Sequence, residues 1–235
     1  MLLCVVISMA GCGRAVNRTA ERRVRDMLPS VLGPARVYRV HVANSPARTA
    51  QGHLSDVIID GDDVAFRNGL LLDQLHLELK NVDVDIRRNK VRSIGEAHFT
   101  AALTEKSLDE FLAGEAPAGE TIRGTHVHLG DQNIVTISAE RMTLGVGVPF
   151  RLTGPIKLAG PAKIEIDATR MTVVGIPITG IPLKYLKRRF ESAVDLTGIP
   201  FAVHLASLQT TPGKLTLSGT ANTASILELA PSNAR

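Results

Sequence analysis

GLLLDQLHLELKNVDVDIRRN, residues 69–89, alternates apolar and polar side chains and then slips out of phase. Leu75, Leu77 and Leu79 hold odd positions, Val82, Val84 and Ile86 hold even ones, and Lys80 and Asn81 lie between. Side chains on a strand point to opposite faces with a period of two, so one face holds both sets only if an extra residue intervenes. The slip predicts a β-bulge at Lys80-Asn81, which would bend the strand and increase its twist. From Leu75 to Ile86 is about 40 Å of strand at ~3.3 Å per residue, roughly twice the usual five or six residues. A strand this long, alternating and curved predicts a sheet with one extended apolar face.

The composition suits such a sheet. Hydrophobic residues make up 44% of the 235 residues, aromatic ones only 3%, and there is no Trp. The core must then be built of Val, Ile, Leu and Ala, a β-branched and aliphatic inventory that favours strands. The length allows one large core or two small ones. The net charge of +4 and pI near 9.3 are mildly basic. Proteins that hold single-stranded nucleic acid need stacking aromatics, and two Tyr and six Phe offer few. With no DNA-binding motif either, nucleic acid is not an expected partner, whereas an anionic membrane surface suits the charge.

Residues 1–15 read MLLCVVISMAGCGRA. The apolar run is too short to span a bilayer, which takes ~20 residues, and suits the apolar region of a secretory signal. It ends in Met9-Ala10-Gly11-Cys12, similar to the lipobox of bacterial lipoproteins, with Met9 where Leu is usual. We therefore expect residues 1–11 to be a lipoprotein signal peptide and Cys12 to be the acylated residue. The missing basic n-region suggests a start codon upstream. A mature chain of that kind, secreted across the inner membrane and lipid-anchored in the cell envelope, would hold no disulfide, leaving stability to the core.

Residues 12–19 read as a linker. Within Arg14 to Leu32, Val24, Met27, Leu28, Val31 and Leu32 recur at helical spacing, with Pro29 expected to kink or end the helix near Leu28. Its polar face carries Arg18, Arg22, Arg23 and Arg25, open between a solvated and a membrane-facing reading. From Val37 to Leu103 the period is two. SDVIIDGDDVAF predicts two short strands about an Asp60-Gly61 turn, and Asp60, Asp62 and Asp63 lack the remaining ligands of a calcium loop. Thr104 and Glu105 open a helix with Leu108, Phe111 and Leu112 as its apolar stripe. Strands then resume through residue 176. IPLKYLKRRFESAVDLTG predicts a second helix, with Leu183, Leu186, Phe190 and Val194 inward and Lys184, Lys187, Arg188 and Arg189 as a basic cluster suited to a membrane surface. Two last strands follow, and residues 223–235 read as a loose tail. Helices interspersed among antiparallel strands define an α+β fold.

The sequence contains no nucleophile elbow, no H-E-x-x-H, no P-loop and no dinucleotide fingerprint. His126 and His128 share a strand face, but neither Cys nor an obvious third ligand accompanies them. No catalytic residue, metal site or cofactor is expected.

GHLSDVIIDGDDVAFRNGLLLDQLHLELKNVDVDI resembles the opening of the LmeA-like phospholipid-binding domain. FTAALTEKSLDEFL is similar to that family's T-E-x-x-L-x-x-x-L helix, and GIPFAVHLASLQTTPGKLTLSGTAN to its closing strands, with Ile199-Pro200 where Leu-Pro is commoner. The resemblance covers residues 20–222. It implies a TULIP-like fold, a long curved antiparallel sheet wrapped around one or two helices, that binds phospholipid at the cell envelope, with a link to lipoglycan maturation in some members. The lipid groove would then be lined by Leu75, Leu77, Leu79, Val82, Val84 and Ile86 on the strand and Leu183, Leu186 and Phe190 on the second helix. Two alternatives remain open from the residues alone: an enzyme of envelope glycolipid assembly with a site formed only in three dimensions, and a structural envelope lipoprotein.

Overall fold

Alternation carried over thirteen to fifteen residues gives an unbroken strand, and three such strands side by side form the centre of the molecule. The computed structural model describes residues 10–85, 90–114, 122–143, 145–178, 194–199 and 201–229. Helix α1 (Ala10–Val31) leads to strand β1 (Val37–Ala43) and a short helix α2 (Pro46–Ala50). The long strands β2 (His53–Ala65), β3 (Leu71–Asp85) and β4 (Lys90–Thr104) follow. Helix α3 (Glu105–Gly114) precedes β5 (Ile122–Leu129), β6 (Ile134–Thr143), β7 (Val146–Gly160), β8 (Lys163–Ile166), β9 (Arg170–Val173) and β10 (Ile176–Ile178). Past residue 193 come β11 (Val194–Asp195), a 3-10 turn (Leu196–Gly198), β12 (Val203–Thr211), β13 (Lys214–Ala221) and helix α4 (Thr223–Leu229).

The strands form two antiparallel sheets. One has six strands in the order β1-β2-β3-β4-β13-β12; the other runs β10-β9-β7-β6-β5, with β8 paired to β7 and β11 to β8. They meet where Thr210 of β12 hydrogen-bonds across to the β5–β6 turn, its N–H donating to Asn133 Oδ1 at 2.8 Å and its hydroxyl to the Gly130 carbonyl at 2.6 Å. The result is α+β, with long curved antiparallel sheets and few helices.

The phase slip is solved differently from the expected bulge. Leu79 pairs with Val57 and Ala97, Val82 with Leu54 and Ile94, and the register on either side of Asn81 is unchanged against both neighbours. The extra residue is present in all three strands at once. Ser55-Asp56, Lys80-Asn81 and Gly95-Glu96 form two consecutive rows off the buried face, flanked by fully buried rows. Asn81 makes the turn-over by adopting a left-handed backbone, φ 53°, which Asn tolerates better than most residues. The same device recurs between Gly61 and Val64, where Asp63 has φ 54° opposite the slip from Leu75 to Leu72. A true register shift does occur farther on. Asp83 faces Ser93 while Val84 faces Val91, so Arg92 is the additional residue, on β4 rather than β3.

Several other expectations are corrected. Asp60-Gly61 is no turn: β2 runs straight through it. The glycine is there because the ring of its cross-strand partner Tyr38 covers it, and a Cβ would stand 2.9 Å from Tyr38 Cε1. Pro29 does not end α1 at Leu28. It falls in the last turn, and Leu32 N–H still donates to Leu28 O at 2.8 Å. The linker expected at 12–19 belongs to α1. Val194, assigned above to a helix, lies in β11. The tail is ordered through α4, because Asn222 Oδ1 accepts from Ala224 and Ser225 N–H at 2.9 and 3.2 Å and caps it, while Ile226 and Leu227 pack on the core. Helix α3 matches its expectation, with Thr104 Oγ1 accepting from Ser107 N–H at 3.4 Å.

Asn81 offers a test of the row device. A β-branched residue in the left-handed region is strained by roughly 1–2 kcal/mol, whereas Gly adopts it freely. Urea unfolding should show Asn81→Val destabilised by about that amount and Asn81→Gly close to wild type. Equal stability of the two variants would mean that the backbone at Asn81 does not set the phase.

Candidate functional site

The inner face of the six-stranded sheet is a ladder of aliphatic rows. Leu54, Val82 and Ile94 form one, Val57, Leu79 and Ala97 the next, then Ile59, Leu77 and Phe99, then Gly61, Leu75 and Ala101. Four residues expected to line a groove are thus brought onto one face, and all are buried: Leu75 is 3% exposed, Leu77 2%, Leu79 8% and Val82 4%. Val84, one step past the last buried row, is only half-buried. Ile86, Leu183, Leu186 and Phe190 lie outside the described residues, as do Lys184, Lys187, Arg188 and Arg189. Cys12 stands in the first turn of α1, and its side chain is likewise outside the described set.

At the Val84 end the sheet's face opens into a cavity. Helix α1 crosses this end with its apolar stripe inward: Leu28 and Leu32 are buried, and Ala20, Val24 and Val31 pack against the core. Two polar contacts fix its height. Glu21 Oε1 accepts the Val42 N–H at 3.0 Å, and Asn17 Nδ2 donates to Asn44 O at 3.0 Å. Between the helix and the sheet remains a cavity of about 330 Å³, bounded by Val16, Ala20, Val24 and Met27 on α1, and by Leu54, Val84 and Val91 on the sheet, with Thr19, Thr49, Gly52 and Arg23 completing it.

Local structure explains why this space exists. The additional residue at Arg92 brings Val91 level with Val84, and Arg92 is drawn aside by Asp85 at 2.9 Å. Val84 N–H donates to Gly52 O at 2.7 Å, so the backbone of residue 52 occupies the place of another strand without contributing a side chain. Small residues on both walls, Ala20, Thr19, Thr49 and Gly52, then leave a void that larger ones would fill. The volume is near the lower end of the ~300–1,000 Å³ usual for small-molecule sites. Arg23, exposed at the rim, is the one charged group among the lining residues. The sequence showed the stripe of α1 but not the gap beneath it; the available signal was the small residues at Thr19-Ala20, Thr49-Ala50 and Gly52.

The outer face is of another kind. A depression there is bounded by Arg39, Asp60, Asp62, Gln74, His76 and Lys214, and its charges are internally paired. Arg39 Nη1 and Nη2 donate to the two Asp62 oxygens at 2.8 and 3.0 Å, and Lys214 Nζ to Gln74 Oε1 at 3.2 Å. The Arg39 guanidinium holds the Asp62 carboxyl below the usual carboxylate range. His76 lies between Asp60 at 2.7 Å and Glu78 at 3.2 Å, and hydrogen bonds to these two carboxylates raise its pKa. His126 and His128 pair with Asp109 at 3.4 Å and Glu105 at 3.1 Å, and those carboxylates also accept the Val127 and Leu129 N–H groups. Among the described residues no three His, Cys, Asp or Glu side chains gather as a metal site, and no helix is long and apolar enough to cross a membrane.

Long curved antiparallel sheets with an aliphatic inner face, opening into an apolar cavity with a single cation at its rim, define a lipid-binding protein. The chain belongs to the LmeA-like phospholipid-binding family, whose model matches residues 12–220. No curated protein and no solved structure matches it.

His76 carries a pH dependence with a definite sign. Its folded pKa is raised, so its stabilising contribution is full below the unfolded value near ~6.5 and fades as pH climbs through the folded one. Urea melts of wild type and His76→Asn should differ most at about pH 5.5 and converge at about pH 9. A gap that widens on the alkaline side would overturn the assignment of its partners.

Proposed function

We propose that this protein is an envelope lipoprotein that binds phospholipid by taking an acyl chain into the cavity beneath α1, serving lipid transfer or the maturation of envelope lipoglycans. The observation that carries this reading is the cavity itself. Its walls are aliphatic side chains continuous with the buried rows of the sheet, and its rim holds the exposed Arg23, a cation suited to pairing with a headgroup phosphate. Each methylene moved from water onto such walls contributes about 0.8 kcal/mol, and a guanidinium matches phosphate oxygens in a two-pronged geometry. The volume suits one tail, leaving the rest of the lipid outside. Membership of a phospholipid-binding family supports the ligand class, and the arrangement calls for binding rather than turnover.

The groove test belongs at the cavity and not at Leu77. At 2% exposure a Glu in place of Leu77 would be an unpaired buried charge, costing several kcal/mol, and loss of binding there would report unfolding. Val24→Trp instead fills the void from the half-buried face of α1. It should weaken binding of a fluorescent phospholipid at least tenfold, abolish co-purified lipid in native mass spectrometry, and leave the melting temperature no lower. A folded Val24→Trp protein with wild-type affinity would place the lipid elsewhere.

Anchoring is tested separately. Cleavage before Cys12 and acylation of its thiol would join the lipid anchor directly to α1. One acyl chain gives only marginal attachment, so more chains or basic residues must assist it. Metabolic labelling with a fatty acid should mark the wild-type protein and not Cys12→Ser; equal labelling of both would sink the lipoprotein reading.

A further inference from the structure

Exposed aliphatic side chains gather at one end of the second sheet. Among the described residues the most exposed large hydrophobic side chains are Val146 at 65%, Ile176 at 65% and Val174 at 63%, whereas Ile134 and Val37 follow at only 38% and 37%. The first three belong to neighbouring hairpins. Thr143 pairs with Val146 across the β6–β7 turn and Val173 with Ile176 across the β9–β10 turn. Phe150 of β7 faces Val173, and Val174 N–H donates to Pro149 O at 2.9 Å, so both turns stand at the same end. Counted inward from Val146, the same face passes through half-buried Val148 and Phe150 to buried Leu152, so the apolar face of the sheet runs past the end of the core.

The turn at Val174 also breaks a local rule. A two-residue hairpin turn with left-handed backbone favours Asn, Asp or Gly. Val174 has φ 52° and Gly175 φ 76°, and a β-branched residue in that region is a conformational outlier. The two residues between Thr143 and Val146 are again an apolar residue and a glycine, Leu144-Gly145, whereas the β12–β13 turn is Pro212-Gly213. Within a fold, strain of this kind is offset by packing around the residue. Val174 is exposed, so what offsets its strain and its apolar surface lies outside the chain.

Charge names the occupant. Arg141 stands level with Val148, Arg123 with Glu140 and Pro149, and Arg151 two rows farther from the turns. All three arginines are exposed, and Glu140 is the one acid among the described residues of these rows. At ~3.3 Å per residue, Arg141 and Arg123 lie about 7 and 10 Å behind Val146. The polar headgroup layer on each side of a bilayer is roughly 5–8 Å deep, so the first cations fall where phosphates begin once the tips have passed them. We infer that this end of the second sheet inserts into the outer part of an anionic lipid bilayer, with Val146, Val174 and Ile176 entering the acyl layer and Arg141 and Arg123 meeting headgroup phosphates. A second copy of the chain would also accept aliphatic tips, but it gives no reason for cations at this depth. The chain between β10 and β11 starts level with Leu152 and ends level with Leu158, so both its ends are fixed on the side away from the tips. The inference stands whether or not a lipid tail enters the cavity beneath α1 and whether or not Cys12 is acylated.

The test uses as parent the full chain carrying Cys4→Ser and Cys12→Ser, so that acylation plays no part and a single cysteine can be introduced. Flotation is measured on vesicles of phosphatidylcholine and phosphatidylglycerol at about 0.15 M salt, where exposed charges are partly screened. The variant V146T/V174N/I176T keeps β-branching at the strand positions and gives the turn a residue it favours. Its binding should fall at least tenfold while its melting temperature is no lower. The control V37T/I134T should bind like the parent. An environment-sensitive fluorophore on Val174→Cys should shift to the blue when vesicles are added, and one on Ile134→Cys should not. Retained binding in the triple variant, an equal loss in the control, a parent that does not float, or a fluorophore at residue 174 that stays in water each overturns the proposal. So does a dimer of the parent that dissociates in the triple variant, which would assign the tips to a second copy.

Discussion

A carboxylate on a neighbouring helix closes a free edge of each sheet, and the geometry of the molecule depends on it. Strand β1 is an edge of the six-stranded sheet, and Glu21 of α1 accepts its Val42 N–H. Strand β5 is an edge of the second sheet, and Glu105 and Asp109 of α3 accept its Leu129 and Val127 N–H groups. Unpaired strand edges are templates for aggregation, and a charged acceptor forms one of the stronger hydrogen bonds available to a backbone N–H. The contact to Val42 does more than protect an edge. It sets how far α1 stands from the sheet, and that distance is the depth of the cavity.

The site is therefore made by spacing rather than by reactive groups. Aliphatic rows run along the inner face up to Leu54, Val82 and Ile94. Past them the side chains become smaller, the third strand gains one residue, and the covering helix presents Ala20 where a Leu would fill the space. Among the described residues the polar tethers of α1 to the sheet, through Glu21 and Asn17, are few.

Much of this was legible in the sequence, and the failures have physical causes. Period-two alternation gave the long strands, and apolar spacing with a Thr cap gave α3, because both signals are local. Asp60-Gly61 misled because the same dipeptide that suits a hairpin also allows close approach of an aromatic ring, and only the partner strand distinguishes the two. The slip at Asn81 was visible, but one strand cannot reveal that its neighbours slip with it. Residues 12–19 looked like a linker for want of large apolar groups, yet Val16 and Thr19 among them line the cavity. Beyond the small residues that line it, the cavity was not legible, since it depends on the height of α1, fixed by a contact between residues 21 positions apart.

The matched slips at Ser55, Asn81 and Gly95 imply a rule for how this sheet can change length in evolution. Removing Asn81 alone would throw every residue beyond it onto the wrong face relative to both neighbours. Removing one residue from each of the three strands would only restore plain alternation and straighten the turn-over, with every remaining partner kept. A change of length that keeps every partner would have to come as a coordinated triplet spread over some forty residues of sequence, since Ser55 and Gly95 bracket the set. A linear alignment would record them as three unrelated gaps, although they are a single event in the geometry of the sheet.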